Sequence, residues 1–384
     1  MHILKLIIRN TLRHKFRTCL TILGITIAIL AFGILRTIVH AWYSGVNASS
    51  ATRLITRNAI SLVFPLPISY REKIRQIPGV KSVSFARWFN GTYISEKNFI
   101  PNFAIDTKTF MELYPEYLLP DDQKTAFFRD RKAAIAGRKV AERFNWKIGD
   151  AITLKGTIFP GTWDFVLRGI YYGADKTADE TQLFFHFDYF NERMKKTMPG
   201  MADRTGVFII GVTSSSLAAG VSEAVDNIFK NSLAETLTET EKAFQMSFVS
   251  MTEAIVVVIQ LVSFMVIIII MAVVANTMAM TARERIGEYA IMKTLGFGGG
   301  YIAILICGES LVMTISGCII GIILTYPCAH YFGNQVATYF PVFDVSPTTI
   351  LMDIAASFLV GFIASAIPTW RAIKIRIADG LRRI

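Results

Sequence analysis

Residues 276–321 read NTMAMTARERIGEYAIMKTLGFGGGYIAILICGESLVMTISGCIIG. One apolar run ends, a short charged segment follows, and a second apolar run begins. Residues 281–300 carry Arg283, Arg285 and Lys293 against Glu284 and Glu288. Arg285 and Glu288 stand three apart and Glu284 and Glu288 four apart, so they are neighbours on a helix surface. Gly296 and Gly298-Gly299-Gly300 then supply a helix stop. The flanking runs, 254–280 and 301–328, each exceed the ~20 residues a helix needs to cross a bilayer. The pattern predicts two membrane spans joined by a short surface helix, a natural docking element for a partner. Its apolar side chains divide, with Ile286 and Tyr289 on one arc and Ile291 and Leu295 on the opposite one.

Two further charge-poor runs, 18–39 and 350–370, bring the expected number of spans to four. Only 18% of the chain is charged, against about 25% in soluble proteins. Residues 40–250 instead hold 26 Lys/Arg and 22 Asp/Glu, and read as a soluble domain with its own core. Positive charge gathers at residues 1–17, 281–300 and 371–384, while the loop 329–349 has no Lys or Arg. By the positive-inside rule both termini and the 281–300 helix are expected in the cytoplasm of a bacterial inner-membrane protein. The net charge of +11 then reports topology and membrane lipids, with no nucleic acid expected. Residues 18–39 exceed the apolar core of a signal peptide, so retention as an anchor is expected. His40-Ala41-Trp42-Tyr43 closes this span with interfacial aromatics, and Arg36 can snorkel to the headgroups.

The soluble domain reads as mixed α and β. Strands are expected at 59–64, 80–88, 151–155, 163–172, 182–187 and 206–213. Asn90-Gly91 predicts a hairpin into 92–105. Helices are expected from a capping box at Ser69–Glu72, at 133–145 and at 215–230. A β-rich insertion is placed near 90–175. Residues 233–252 lack Pro and Gly and run into the second span, which predicts one continuous helix to about 280. The four cysteines lie in or beside membrane runs, so no disulfide framework is expected in the domain. His186 and Asp188 would share a strand face, and are read as structural for want of further ligands. No catalytic, cofactor-binding or metal constellation stands out, and a membrane-anchored enzyme is disfavoured.

Inside the spans, Glu309 lies eight residues into the third run, about 12 Å along the helix. An intramembrane acid is a functional candidate by default; with Ser310 beside it, interhelical bonding, interface anchoring, coupling and proton transfer all stay open. Asp353 and Glu253 read as interfacial. Gly317 and Gly321 form a GxxxG pair, and Gly24 and Ala28 a small-xxx-small pair; either can pack within the subunit or across a dimer.

This stretch resembles the FtsX-like permeases of ABC transporters, of the MacB and LolC/LolE type, also called type VII or mechanotransmission transporters. The resemblance rests on Asn276 and Met278, Glu284-Arg285 and Glu288, Lys293, Leu295-Gly296, Glu309-Ser310 and Gly317/Gly321. It extends to Pro368-Thr369-Trp370-Arg371-Ala372 and the ending Gly380-Leu381-Arg382, and outside the membrane to Ile77-Pro78-Gly79-Val80, Ala136-Gly137, Val140-Ala141 and Ile148-Gly149-Asp150. The chain departs at Tyr289-Ala290, Thr294, Ile377 and Gly380. The resemblance implies an N-terminal turn and span over 1–43, and a periplasmic domain over 44–232 with ferredoxin-like porter and sabre parts. A stalk and second span follow over 233–280, then a coupling helix over 281–300. Spans at 301–328 and 350–370 flank a loop at 329–349, and a tail occupies 371–384. Arg283, Glu284, Arg285, Glu288, Lys293 and Gly296 are the implied ATPase-coupling residues, with Asn276 among the packing positions. The implied partners are a separate ABC ATPase dimer holding ATP and Mg, a second copy or related permease, and a periplasmic fusion or carrier protein. The implied activity is export or extraction of a drug, peptide, lipid or lipoprotein. The alternative is signalling to a cell-wall hydrolase. The chain has no Gly-x-x-x-x-Gly-Lys phosphate loop of its own.

Overall fold

The structure is a computed structural model and describes residues 2–375 and 377, apart from 97, 176, 337–339 and 341. The matched ending Gly380-Leu381-Arg382 therefore lies outside the described residues. The chain forms two compact units: a helical unit from 1–41, 252–335 and 343 onward, and an inserted unit from 42–251 with 336–342.

The helical unit begins with an N-terminal helix, His2–Thr11. Span 1 is Lys15–Trp42, span 2 Glu253–Glu284, span 3 Gly299–Val336 and span 4 Pro347–Lys374. A loop helix, Ile286–Thr294, joins spans 2 and 3. Among the described residues these four spans are long and apolar enough to cross a membrane. Their shared core holds Ile25, Ile29 and Phe32 of span 1, Ile270, Val274 and Met278 of span 2, and Ile302, Ile306 and Val360 of spans 3 and 4. Gly317 and Gly321 face span 1: a Cβ on Gly317 would lie 2.6 Å from Ile25, and one on Gly321 2.9 Å from Ile29. Gly24 faces Ile270 of span 2, and Ala28 is buried in the same core. Ser310 Oγ donates to the Gly361 carbonyl of span 4 at 2.9 Å. Asn276, an expected packing position, is exposed in the single chain. Val274 and Met278 occupy the inward face at i and i+4, which turns position 276 outward.

The inserted unit contains β1 (Arg53–Asn58), β2 (Leu66–Pro67), β3 (Val80–Trp88), β4 (Gly91–Tyr93), β5 (Asn102–Ile105) and β6 (Tyr117–Leu118). It continues with β7 (Ala133–Gly137), β8 (Ala151–Gly156), β9 (Gly161–Gly173) and β10 (Leu183–His186), then β11 (Arg204–Thr205), β12 (Val207–Val212) and β13 (Thr236–Thr240). The main sheet runs β13-β1-β12-β3-β5-β10-β7-β9-β8-β4, with β6 on β9. In β13-β1-β12-β3, helices Tyr70–Arg75 and Ala218–Phe229 precede β3 and β13. That is the split β-α-β arrangement of ferredoxin-like folds. Ile74, Val221, Val225 and Phe229 of these helices bury one sheet face against Leu54, Val83, Phe85 and Phe208.

Several expectations change here. The insertion leaves after β3 and returns only at β12, so it runs past 175. The first strand is 53–58, not 59–64: its Arg53 is a buried charge, held by Glu116 at 2.5 Å and Glu241 at 2.9 Å. Asn90-Gly91 makes no hairpin, because β3 pairs with β5 and β4 with β8. Ala133–Gly137 is a strand despite its helix-forming alanines; small side chains let it sit buried between β9 and β10. Residues 236–240 form a strand on β1, their Thr236 and Thr238 hydroxyls bound to Asp226. The stalk helix starts only at Glu241, ends at Met251 and is separated from span 2 by Thr252, at φ −113° and ψ 11°. The predicted single helix over 233–280 is thus a strand and two helices. The Ser69 side chain makes no cap bond. His186 is buried on the Phe127 carbonyl at 2.6 Å, and burial pushes its pKa down.

Candidate coupling site

The loop helix is preceded by Arg285, whose backbone leaves helical geometry at φ −109° and ψ 17°. This break turns the chain from span 2 and points the guanidinium inward. Arg285 is 4% exposed. It donates to Glu309 of span 3 at 2.5 Å and to Glu288 of its own helix at 2.9 Å, and lies 5.5 Å from the Tyr289 ring centroid. Glu309 is itself 2% exposed. Removing one partner of such a buried pair strands the other charge and costs about 3–5 kcal/mol. The loop helix is therefore pinned to span 3 by a bond that is expensive to open.

A second set of charges ties the loop to the N-terminus. Glu288 also accepts from Arg13, and Glu284 takes two bonds from Arg17, both at 2.8 Å. His14 lies 3.8 Å from Glu284. Burial pushes the Glu288 carboxyl up, but the hydrogen bonds from Arg13 and Arg285 outweigh it and hold the pKa below the ordinary glutamate value. Burial pushes the Tyr289 hydroxyl up to about 12, so it stays a neutral phenol. The N-terminal helix is seated by Ile7, which packs on Gly308 of span 3 where a Cβ would come within 2.5 Å. At the far end of the loop helix, Lys293 Nζ donates to the Ile373 and Ile375 carbonyls at 2.6 and 2.8 Å. It thereby caps the C-terminus of span 4, where a cation meets unsatisfied carbonyls.

The structure thus redistributes the predicted coupling residues. Glu284, Arg285, Glu288 and Lys293 are engaged within the chain and hold the loop, and Glu284 is exposed as well. Arg283 is exposed, and so is Gly296 at φ +91°. Ile291, Leu295 and Phe297 are exposed beside them, Leu295 at 72%. The two apolar arcs have separate uses: Tyr289 packs into the bundle and Ile291 with Leu295 faces out. Sequence reasoning treated Arg13 and Arg17 only as topology charges. Their four-residue spacing matches that of Glu284 and Glu288, which is the signal that could have paired them.

Two family profiles match this arrangement. The FtsX-like permease C-terminal profile covers residues 260–377, which takes in spans 2 to 4 and the loop helix. The MacB-like periplasmic core domain profile covers 18–228, more than half of the chain. The chain belongs to the MacB/FtsX family of ABC-transporter permeases. Among solved structures, the permease is similar to the extracellular domain of the noncanonic ABC-type transporter YknZ from Gram-positive bacteria, at 11% identity and a TM-score of 0.37. That match covers 49% of this chain and 100% of the other. It is also similar to the periplasmic region of MacB from Actinobacillus actinomycetemcomitans, at 8% identity and a TM-score of 0.37, covering 53% and 95%. No curated protein matches the sequence.

Proposed function

We propose that this permease passes the motion of a separate ATPase to its inserted domain, exporting or extracting an amphiphilic substrate such as a drug, peptide, lipid or lipoprotein. The observation that carries the reading is the loop helix. It offers Ile291, Leu295 and Phe297 outward while Arg285 locks it to Glu309. An apolar patch on a short helix suits a groove in a partner, and the buried pair lets a push on that helix move span 3. Orientation follows charge: the N-terminal segment, the loop helix and the C-terminal tail face the cytoplasm, in the inner membrane. ATP and Mg then belong to the ATPase dimer, and two permease copies or two related permeases stand over it. A periplasmic fusion or carrier protein receives the substrate.

The test is co-expression with an ABC ATPase of the same organism, purification through the permease, and ATP turnover in lipid vesicles. A stable complex whose turnover depends on the permease is expected. A permease that retains no ATPase and leaves its turnover unchanged refutes the proposal.

A further inference from the structure

The helical unit holds a second buried acid that the coupling site does not use. Asp353 of span 4 is 1% exposed, and its Oδ1 has no hydrogen-bond partner. Span 1 closes over it at Gly33, where a Cβ would lie 3.1 Å from Asp353 Oδ2 and 3.2 Å from the Thr325 hydroxyl of span 3. The nearby polar groups have no proton to give. Thr325 Oγ1 donates to the Gly321 carbonyl at 2.8 Å, and the Cys318 thiol to Asp353's own backbone carbonyl at 3.7 Å.

No ion pair reaches Asp353 among the described residues. On span 1, Arg36 and His40 follow Gly33 by one and two turns, yet neither is ion-paired to it, and Arg36 Nε and His40 Nδ1 are themselves buried without partners. Among the described residues of span 3, the titratable group beside Asp353 is the Cys318 thiol, while Tyr326, Cys328, His330 and Tyr331 are exposed. The charge of span 2 at this end is Glu253, which is exposed and acidic. Glu309, equally buried, has the Arg285 guanidinium. An ionised carboxylate with no cation and no donor is strongly disfavoured in an apolar interior, whereas the neutral acid is tolerated.

We propose that Asp353 is an intramembrane proton-binding site. In this packing its carboxyl carries a proton, and the proton leaves when spans 1 and 4 part and water reaches the acid. Because the closed packing binds the extra proton, acid favours closure and rising pH favours separation. The site needs only the helix bundle, so it stands or falls independently of ATPase coupling.

Dicyclohexylcarbodiimide, which adds to protonated carboxyls in apolar surroundings, tests this on the full chain in phospholipid vesicles. Peptide mass spectrometry is expected to find the adduct on Asp353 and not on Glu309, with yield falling as pH rises. An unlabelled Asp353 across the pH range overturns the proposal. Infrared spectra supply the second reading: the protonated-acid carbonyl band at neutral pH is expected in the unsubstituted chain and in E309Q but not in D353N. A band unchanged in D353N overturns it equally.

Discussion

At one end of the helix bundle Glu309 is buried on Arg285; at the other Asp353 is buried with no cation beside it among the described residues. Both acids are almost wholly inaccessible, so burial alone does not set what they do. The paired acid is a fixed joint. Its bond joins the loop helix to span 3, and opening it strands a charge. On the proposed protonation the unpaired acid is conditional, its charge depending on whether span 1 lies over it. The proposed coupling and the proposed proton binding thus fall at opposite ends of the bundle.

The largest effect that can break this contrast is expected from R285M. It leaves Glu309 buried without its cation and should destabilise the helical unit by about 3–5 kcal/mol, read by thermal unfolding in detergent. The double variant R285M/E309M sharpens the point: replacing a buried pair with apolar side chains of similar volume is often near neutral, so most stability should return, within about 1–2 kcal/mol. ATPase stimulation should stay lost, because the loop is no longer held to span 3. If the double variant is as unstable as R285M, the pair is not the joint described.

At the second set of charges smaller changes are expected. E284Q removes the partner of Arg17 in a partly exposed pair, and should cost no more than about 1 kcal/mol. D353N exchanges one neutral side chain for another of the same shape and should also shift stability by only about 1 kcal/mol. A loss as large as that of R285M would contradict the contrast between the two acids. The pH responses should also oppose one another. Glu288 has a depressed pKa, so its contribution is present above the unfolded value of about 4.3 and lost as pH falls through the lower folded value. Below about pH 4 the unfolding temperature should therefore drop more in the unsubstituted chain than in E288Q.

Much of this layout was legible in the sequence because hydropathy and charge are local. Four apolar runs, a charged turn between two of them and a charged stretch of about two hundred residues give the spans and the insertion. Strands with alternating burial, such as Ala151–Gly156, were also readable. What escaped depends on tertiary partners. Ala133–Gly137 has helix-forming residues, and only its place between two strands makes it a strand. Residues 236–240 became a strand because β1 lay open to pair with them. Within the site, spacing placed Glu284, Arg285 and Glu288 together but gave no sign of which would turn inward. That depended on the backbone break at Arg285 and on Glu309, 24 positions later. Asp353 read as interfacial from its position in span 4, since nothing local reveals that Gly33 of span 1 closes over it.

On the proposed function, the loop helix and the turn after it meet the ATPase through Ile291, Leu295 and Phe297, while charged residues hold the helix to the bundle. ATP turnover of the co-purified complex carrying L295D with I291D, set against E284Q, tests this most directly. The aspartate pair is expected to abolish association and permease-dependent turnover in a permease that remains folded, and E284Q to retain both. An intact, fully active complex with the aspartate pair would contradict it.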